Sequence, residues 1–275
     1  MSADSRTAIS GNRMDGLLRK LGIAAFGMLV AIYVVPMGVY VSESIRYAGY
    51  IFTSQEVLAA LGISLKSSIA SIAAVVLIGL PGIYYVWSRN DKRIDFISDI
   101  FDIPMVIPPS VAGLILLITF GKMGIVGRYL DIAGIRIPFT IVAVCLAQIF
   151  VAGPIFFKSY RVGLESIDEE LIISAETLGL DDLEIFLKII LPMCRTSILT
   201  GMLMSFSRML AEFGATIMFA GNLKGVTQTL PLAIFSAMET DINVSMAIGL
   251  LLIGISVTVQ VVHKRLLFRK VKNAG

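Results

Sequence analysis

Apolar residues in this chain run in long stretches parted by short polar ones. A helix needs about 20 apolar residues to cross the hydrocarbon core of a bilayer. Six stretches reach or approach that length: Leu21–Ser42, Ile69–Trp87, Ile103–Phe120, Pro138–Tyr160, Ile198–Ala220 and Val244–His263. The second extends back to Val57 if Lys66 snorkels to the interface. The third is short and carries Pro104, Pro108 and Pro109. Pro104 suits a first helical turn, where its missing N–H does no harm. Pro108-Pro109 must kink or break the span, as a static kink or as a hinge or pore-lining break. Backbone freed in this way needs helix neighbours or a water-lined cavity.

One polar insert departs from the pattern. Residues 161–195 predict two short helices joined at a glycine. Ser166 caps the first, with Glu169 three residues on completing a capping box. Leu171, Ala175 and Leu178 share its face, and Gly179 is a left-handed C-cap. Asp181 caps the second, again with Glu184 three residues later. Leu183, Phe186 and Ile190 form its apolar stripe, and Pro192 halts it. The insert is far longer than an ordinary helix–helix connection. It is either a stable hairpin between spans or a docking element whose apolar ridge needs a partner to cover it.

Composition agrees with a membrane chain. The protein is 56% hydrophobic and 16% charged, against about 45–50% and about 25% in soluble domains. Its mean hydropathy is +0.86. Net charge of +3, with no basic stripe, gives no footing for nucleic acid. Cys145 and Cys194 cannot form a disulfide framework and suit small apolar packing. The first apolar run is too long for a signal-peptide core and lacks an A-x-A site, so it predicts an uncleaved span. Lys and Arg set orientation. With the N-terminus inside, sixteen of the 23 fall on the inner side, six on the outer side, and Arg208 within a span. Both termini and the insert are therefore expected in the cytoplasm. The domain expectation is a cytoplasmic segment 1–20, a six-span membrane domain 21–263 including the insert, and a basic tail 264–275. No phosphate-binding G-x-x-x-x-G-K-[ST] loop, nucleophile–base pair or metal-spaced cluster occurs, so the chain is not expected to be an enzyme. His263 suits a membrane interface better than a ligand role.

Arg208 and Glu212 are four residues apart in the fifth span, close enough to pair. Ser205 and Thr216 extend that polar stripe, and Phe213-Gly214-Ala215 follows the glutamate. Ionisable groups at membrane depth face a bundle interior or an aqueous path. The pair either pins the span to its neighbours or lines a route. Phe213-Gly214 is either close helix packing or part of a gate.

Two resemblances follow from these segments. Gly179, nine residues, then Ile189-Ile190-Leu191-Pro192 resembles the EAA loop of ABC-transporter permeases. The family's Glu-Ala-Ala falls on Ile173-Ser174-Ala175, where only the second alanine is kept. Ser205–Asn222, with its Arg208-Met209-Leu210-Ala211-Glu212-Phe213-Gly214-Ala215 core, is similar to the fifth span of permeases for molybdate, tungstate and sulfate. Asp102-Ile103-Pro104 through Pro109, then Val111-Ala112-Gly113, resembles that group's third span, and Thr227-Gln228-Thr229-Leu230-Pro231-Leu232 resembles its last outer loop. The likeness covers most of the chain from about Ser64 onward.

That resemblance implies an all-α polytopic protein of the type I importer permease fold, in the cell membrane. It implies a homodimer of six-span chains, two cytoplasmic ATP-binding subunits and an external oxyanion-binding protein. It implies that this chain binds no cofactor and that ATP and Mg belong to the partner ATPase. Ala175, Glu176, Thr177, Leu178 and Gly179 would meet that ATPase, and Leu191 and Pro192 would begin the lever into span five. Ser205, Arg208, Glu212, Phe213, Gly214, Thr216, Pro108 and Pro109 would form the pathway, its gate or its structural support. The expected activity is ATP-driven import of molybdate or tungstate by alternating access. A sulfate or thiosulfate permease pairing two different chains is the near alternative. A gradient-driven secondary transporter is the distant one.

Overall fold

The computed structural model describes residues 3–89 and 100–273, with side chains within 18–89 and 100–266. Lys92 and Arg93 lie outside the described residues, as do the side chains of Arg6, Arg13, Arg269, Lys270 and Lys272. Every regular element among the described residues is helical. Helix α1 (Ala3–Ser44) leads through a 3-10 turn (Ile45–Tyr47) and short α2 (Gly49–Thr53) into α3 (Gln55–Arg89). After α4 (Ile103–Val106) come α5 (Pro109–Phe120), α6 (Ile125–Ile132) and α7 (Ile141–Glu165). The insert holds α8 (Glu169–Thr177) and α9 (Asp182–Ile185). A π-helical segment (Phe186–Ile190) joins α9 to α10 (Leu191–Leu210). Helices α11 (Gly214–Ala220), α12 (Leu230–Thr240) and α13 (Ile242–Asn273) complete the chain.

Among the described residues, five helical stretches are long and apolar enough to cross a bilayer, or six if the pair α5–α6, bent by 45°, counts as one. Six spans agree in number with the sequence pattern; the ends of each shift by a few residues, and spans two, three and five depart further. Span two is helical from Gln55, which takes in the earlier start at Val57. Span three does not run on from Ile103. Ile107 (ψ 132°) and Pro108 (ψ 134°) are extended, and the helix restarts at Pro109. A proline disfavours the α region for the residue before it, and two in succession remove two donors, so the break falls between α4 and α5. Span five does not run from Ile198 to Ala220 as one helix. It extends back to Asp182 and stops at Leu210.

Helix α7 is the hub, packing most extensively on α10 and then on α3 and α11. One core joins Ala112 and Leu116 of α5, Ala143, Val144, Ala147 and Val151 of α7, and Ala215, Phe219 and Ala220 of α11. Small side chains let these backbones approach, the usual basis of association in lipid. A Cβ on Gly113 would lie 2.6 Å from Ala215 O. Helix α1 is exposed along its apolar length. It packs on α13 near its C-terminal end, where the Tyr40 hydroxyl donates to Met246 O at 3.1 Å.

Candidate functional site: an elbow and two helix breaks

The insert folds as an elbow, with local capping deciding its shape. Asp168, not Ser166, caps α8: its carboxylate accepts from Glu170 N at 3.0 Å. Ser166 instead closes α7, donating to Gly163 O at 2.7 Å. The expected Ser166–Glu169 box therefore does not form. Asp168 has the extended backbone of a cap, which leaves Glu169 and Glu170 in the first turn, where the helix dipole favours them. Gly179 takes φ +86°, and the following turn is a complete Schellman motif. Gly179 N donates to Glu176 O (2.9 Å) and Leu180 N to Ala175 O (3.2 Å). The space around Gly179 is open, so backbone conformation, not crowding, requires the glycine. Asp181 and Glu184 form the expected reciprocal capping box.

The elbow's buried face differs from the expected ridge. Ala175 is buried, but Leu171 is exposed and Leu178 is 80% exposed. Leu178 is the C-cap, past the last helical residue, so the turn carries it off the face. In α9 and the π segment, Ile185, Phe186 and Ile190 are buried while Leu183 is exposed. Ala175, Ile185, Phe186 and Ile190 pack with Tyr160, Ile167 and Cys194. Phe186 meets Tyr84 edge-on at 5.1 Å and Trp87 at 6.0 Å, joining the elbow to the end of α3. Ala175 thus faces this chain's own core. Glu176, Thr177, Leu178 and Pro192 stand at the surface with Leu171, Ile173, Leu183 and Leu187.

Pro192 does not stop the second helix. The backbone widens to i→i+5 spacing over Phe186–Ile190, and Leu191 N donates to Phe186 O. Pro192 then occupies the first turn of α10, where no N–H is needed. A single stretch of 29 residues runs from Asp182 to Leu210, roughly 43 Å at the helical rise.

At its far end the chain breaks over Ala211–Phe213 before α11 begins. Glu212 therefore lies outside α10, yet its Oε2 is 2.8 Å from Arg208 Nη1. Its Oε1 accepts from Ala215 N at 2.8 Å, capping α11. The carboxylate is fully buried, and Arg208 is 34% exposed. On the other side of the gap, Gln148 Nε2 donates to Met209 O at 3.2 Å. Side chains thus reach the backbone on both sides of the gap, and Glu212 N adds a bond to Met209 O at 3.2 Å. The second break lies against the first: a Cβ on Gly214 would be 2.9 Å from Pro109 Cβ. The structure brings Pro109 and Gly214 together. It does not make one stripe of Ser205, Arg208, Glu212 and Thr216 on an open face, because Ser205 and Thr216 are fully buried. Phe213 is half-buried, its ring 5.5 Å from that of Phe235.

Gln148 was not among the sequence candidates. Its amide also donates to Ser67 Oγ (3.1 Å) and Ser68 Oγ (3.2 Å), and accepts from Ser71 Oγ (2.9 Å). The signal was present as serines at positions 64, 67, 68 and 71, on one helical face of an apolar span. Ser64 Oγ accepts from Leu230 N at 2.7 Å, anchoring α12.

Residues 79–273 match the family described as "Binding-protein-dependent transport system inner membrane component". The chain is 36% identical to the "Probable transport system permease protein NifC" of Clostridium pasteurianum, over 88% of this chain and 87% of that one. It is 36% identical to the "Molybdenum transport system permease protein ModB" of Mycobacterium tuberculosis, over 73% and 76%. In fold it resembles a chain from the crystal structure of a bacterial ABC transporter involved in the import of alginate, an acidic polysaccharide. That match has a TM-score of 0.70 and 14% identity, and covers 94% of this chain and 99% of the other.

Proposed function

The chain belongs to the family of binding-protein-dependent transport system inner membrane components, and from that membership we propose that it carries molybdate or tungstate inward, driven by ATP. It is a multi-pass membrane permease subunit and not the ATPase of its transporter. Molybdenum permeases among its relatives support the choice of oxyanion. The partners are a second copy of this chain, two ATP-binding subunits on the elbow's side and an external oxyanion-binding protein. Both termini lie with the elbow in the cytoplasm, as the Lys and Arg bias indicates.

One observation carries the mechanism: the elbow and the break at Ala211–Phe213 are the two ends of one continuous helix. The ATPase docks on Glu176, Thr177, Leu178 and the apolar side chains beside them. Its closure moves the elbow, and α10 carries the displacement to the gap. There α11 leans on Pro109 and α5, so both breaks shift together. The two chains of a dimer alternate between outward and inward openings. Phe213 closes the route in one state, and buried Glu212 holds the splice through both.

The test is uptake into vesicles holding the complete transporter, with proton and sodium gradients collapsed. Molybdate entry should continue with ATP and stop without the ATPase. Uptake that follows an ion gradient and ignores ATP excludes the proposal. Competition by sulfate at equal concentration would move the assignment to the sulfate group.

A further inference from the structure

Building on that function, the geometry points to a weak tetrahedral-oxyanion site in a basin at the elbow end of α7, α10 and α13. Two grooves meet there. The first, of 260 Å³, is lined by Lys158, Ser159, Val162, Thr196, Ser197 and Thr200. The second, of 230 Å³, shares Thr196 and Thr200 and adds Arg195 and His263 over Leu199, Leu203 and Leu266. Each is smaller than the roughly 300 Å³ at which drug-sized pockets begin, so a small solute suits them.

The chemistry is that of a tetrahedral anion. Such a ligand has acceptor oxygens on every side and is held by hydroxyl donors and cations spread around it. The basin supplies four hydroxyls and three basic side chains, and no carboxylate lines either groove among the described residues. Thr200 stands where the grooves join, its Oγ1 3.3 Å from His263 Nε2. The nearest acid partner of Lys158 is Asp102, at 3.8 Å with both side chains at least half exposed. An exposed pair of that length is weak, so a dianion can displace it. Glycines hold the hydroxyls in the α7–α10 seam. A Cβ on Gly201 would come within 2.9 Å of Ser159 Cβ, and one on Gly163 within 2.6 Å of Ser197 Cβ.

The position fits an exit. Arg208 lies eight residues from Thr200 along α10, roughly 12 Å at the helical rise, and is partly exposed. Ser205 and Thr216 are buried and unavailable to a passing solute. The accessible polar face of α10 is the one bearing Ser207, Thr200 and Thr196. Cations without a deep pocket speed passage without trapping the cargo.

The same chemistry would accept two sources of oxyanion, the transported solute or the phosphate of an anionic lipid headgroup. The test uses Thr200→Cys in the complete transporter, reconstituted in vesicles, with a water-soluble cationic thiol reagent. The unsubstituted chain, with Cys145 and Cys194, sets the background. In phosphatidylcholine vesicles sodium molybdate should slow labelling roughly threefold, as occupancy at twice the dissociation constant gives. Sodium chloride at equal ionic strength should not, and adding Lys158→Gln should weaken the protection. Slowing by phosphatidylglycerol but not by molybdate assigns the site to a lipid headgroup. A thiol that never reacts, or that ignores both molybdate and anionic lipid, overturns the site. ATP-driven uptake by the unsubstituted transporter in the same preparation separates the two claims. Uptake with an unprotected thiol removes only the basin, whereas absent uptake removes the functional assignment.

Discussion

At the scale of single residues, the break in span five rests on Glu212 and Gln148. Each satisfies one side of the gap, Glu212 at Ala215 N and Gln148 at Met209 O. Glu212→Ala removes a cap and leaves Arg208 without its partner. Removing one member of a fully buried ion pair costs roughly 3–5 kcal/mol, and with Arg208 34% exposed the loss here should be smaller. Glu212→Gln keeps an oxygen for Ala215 N and loses only the charge, so its loss should be smaller still. Thermal unfolding in detergent should rank the proteins unsubstituted, Gln, then Ala; equal stability of all three would deny Glu212 its splicing role. Gln148→Leu removes all the bonds of the amide: Ser68 Oγ loses its partner, while Met209 O keeps Glu212 N, Ser67 keeps Ser64 O and Ser71 keeps Cys145 O. An unpaired buried polar group costs about 1–3 kcal/mol, so this variant should melt early.

Among elements, the elbow turns on Gly179. A β-branched residue there meets no neighbour but must adopt φ +86°, a strain on the order of 1–3 kcal/mol. That is too little to unfold the spans and enough to misplace α8 against α9. Gly179→Val should leave the bundle assembled and ATP hydrolysis active while uptake falls severalfold. Assays of both on one preparation check this, and unchanged uptake would dismiss the elbow as the coupling element. The elbow also shows what local sequence can specify. The Asp181–Glu184 box and the Gly179 turn were legible because caps need particular atoms at fixed offsets. The first cap shifted from Ser166 to Asp168 because both residues offer an acceptor, and the end of α7 took the serine. Pro192 misled because proline ends a helix only when no neighbouring turn widens. A five-residue π segment has no marker in composition.

For the whole molecule, six apolar runs announced six crossings because bilayer thickness leaves few other solutions. The splice at Ala211–Phe213 was not legible, since Arg208 and Glu212 four residues apart suit an intact helix equally well. Its support comes from distant residues, Gln148 and Pro109, which only the tertiary structure unites. Helix α1 stands apart from that support. Tyr40→Phe removes its hydrogen bond to α13, worth about 0.5–1.5 kcal/mol. The melting temperature should fall by only a few degrees, while a collapse of the bundle would show that α1 is integral to it.

The chain has one tryptophan, and it lies against the ring of Phe186 where α3 meets the elbow. Indole emission from the isolated permease therefore reports on one joint without an attached dye. A change of wavelength when the Gly179 hinge is stiffened would register the elbow's tilt optically, before any cargo is offered.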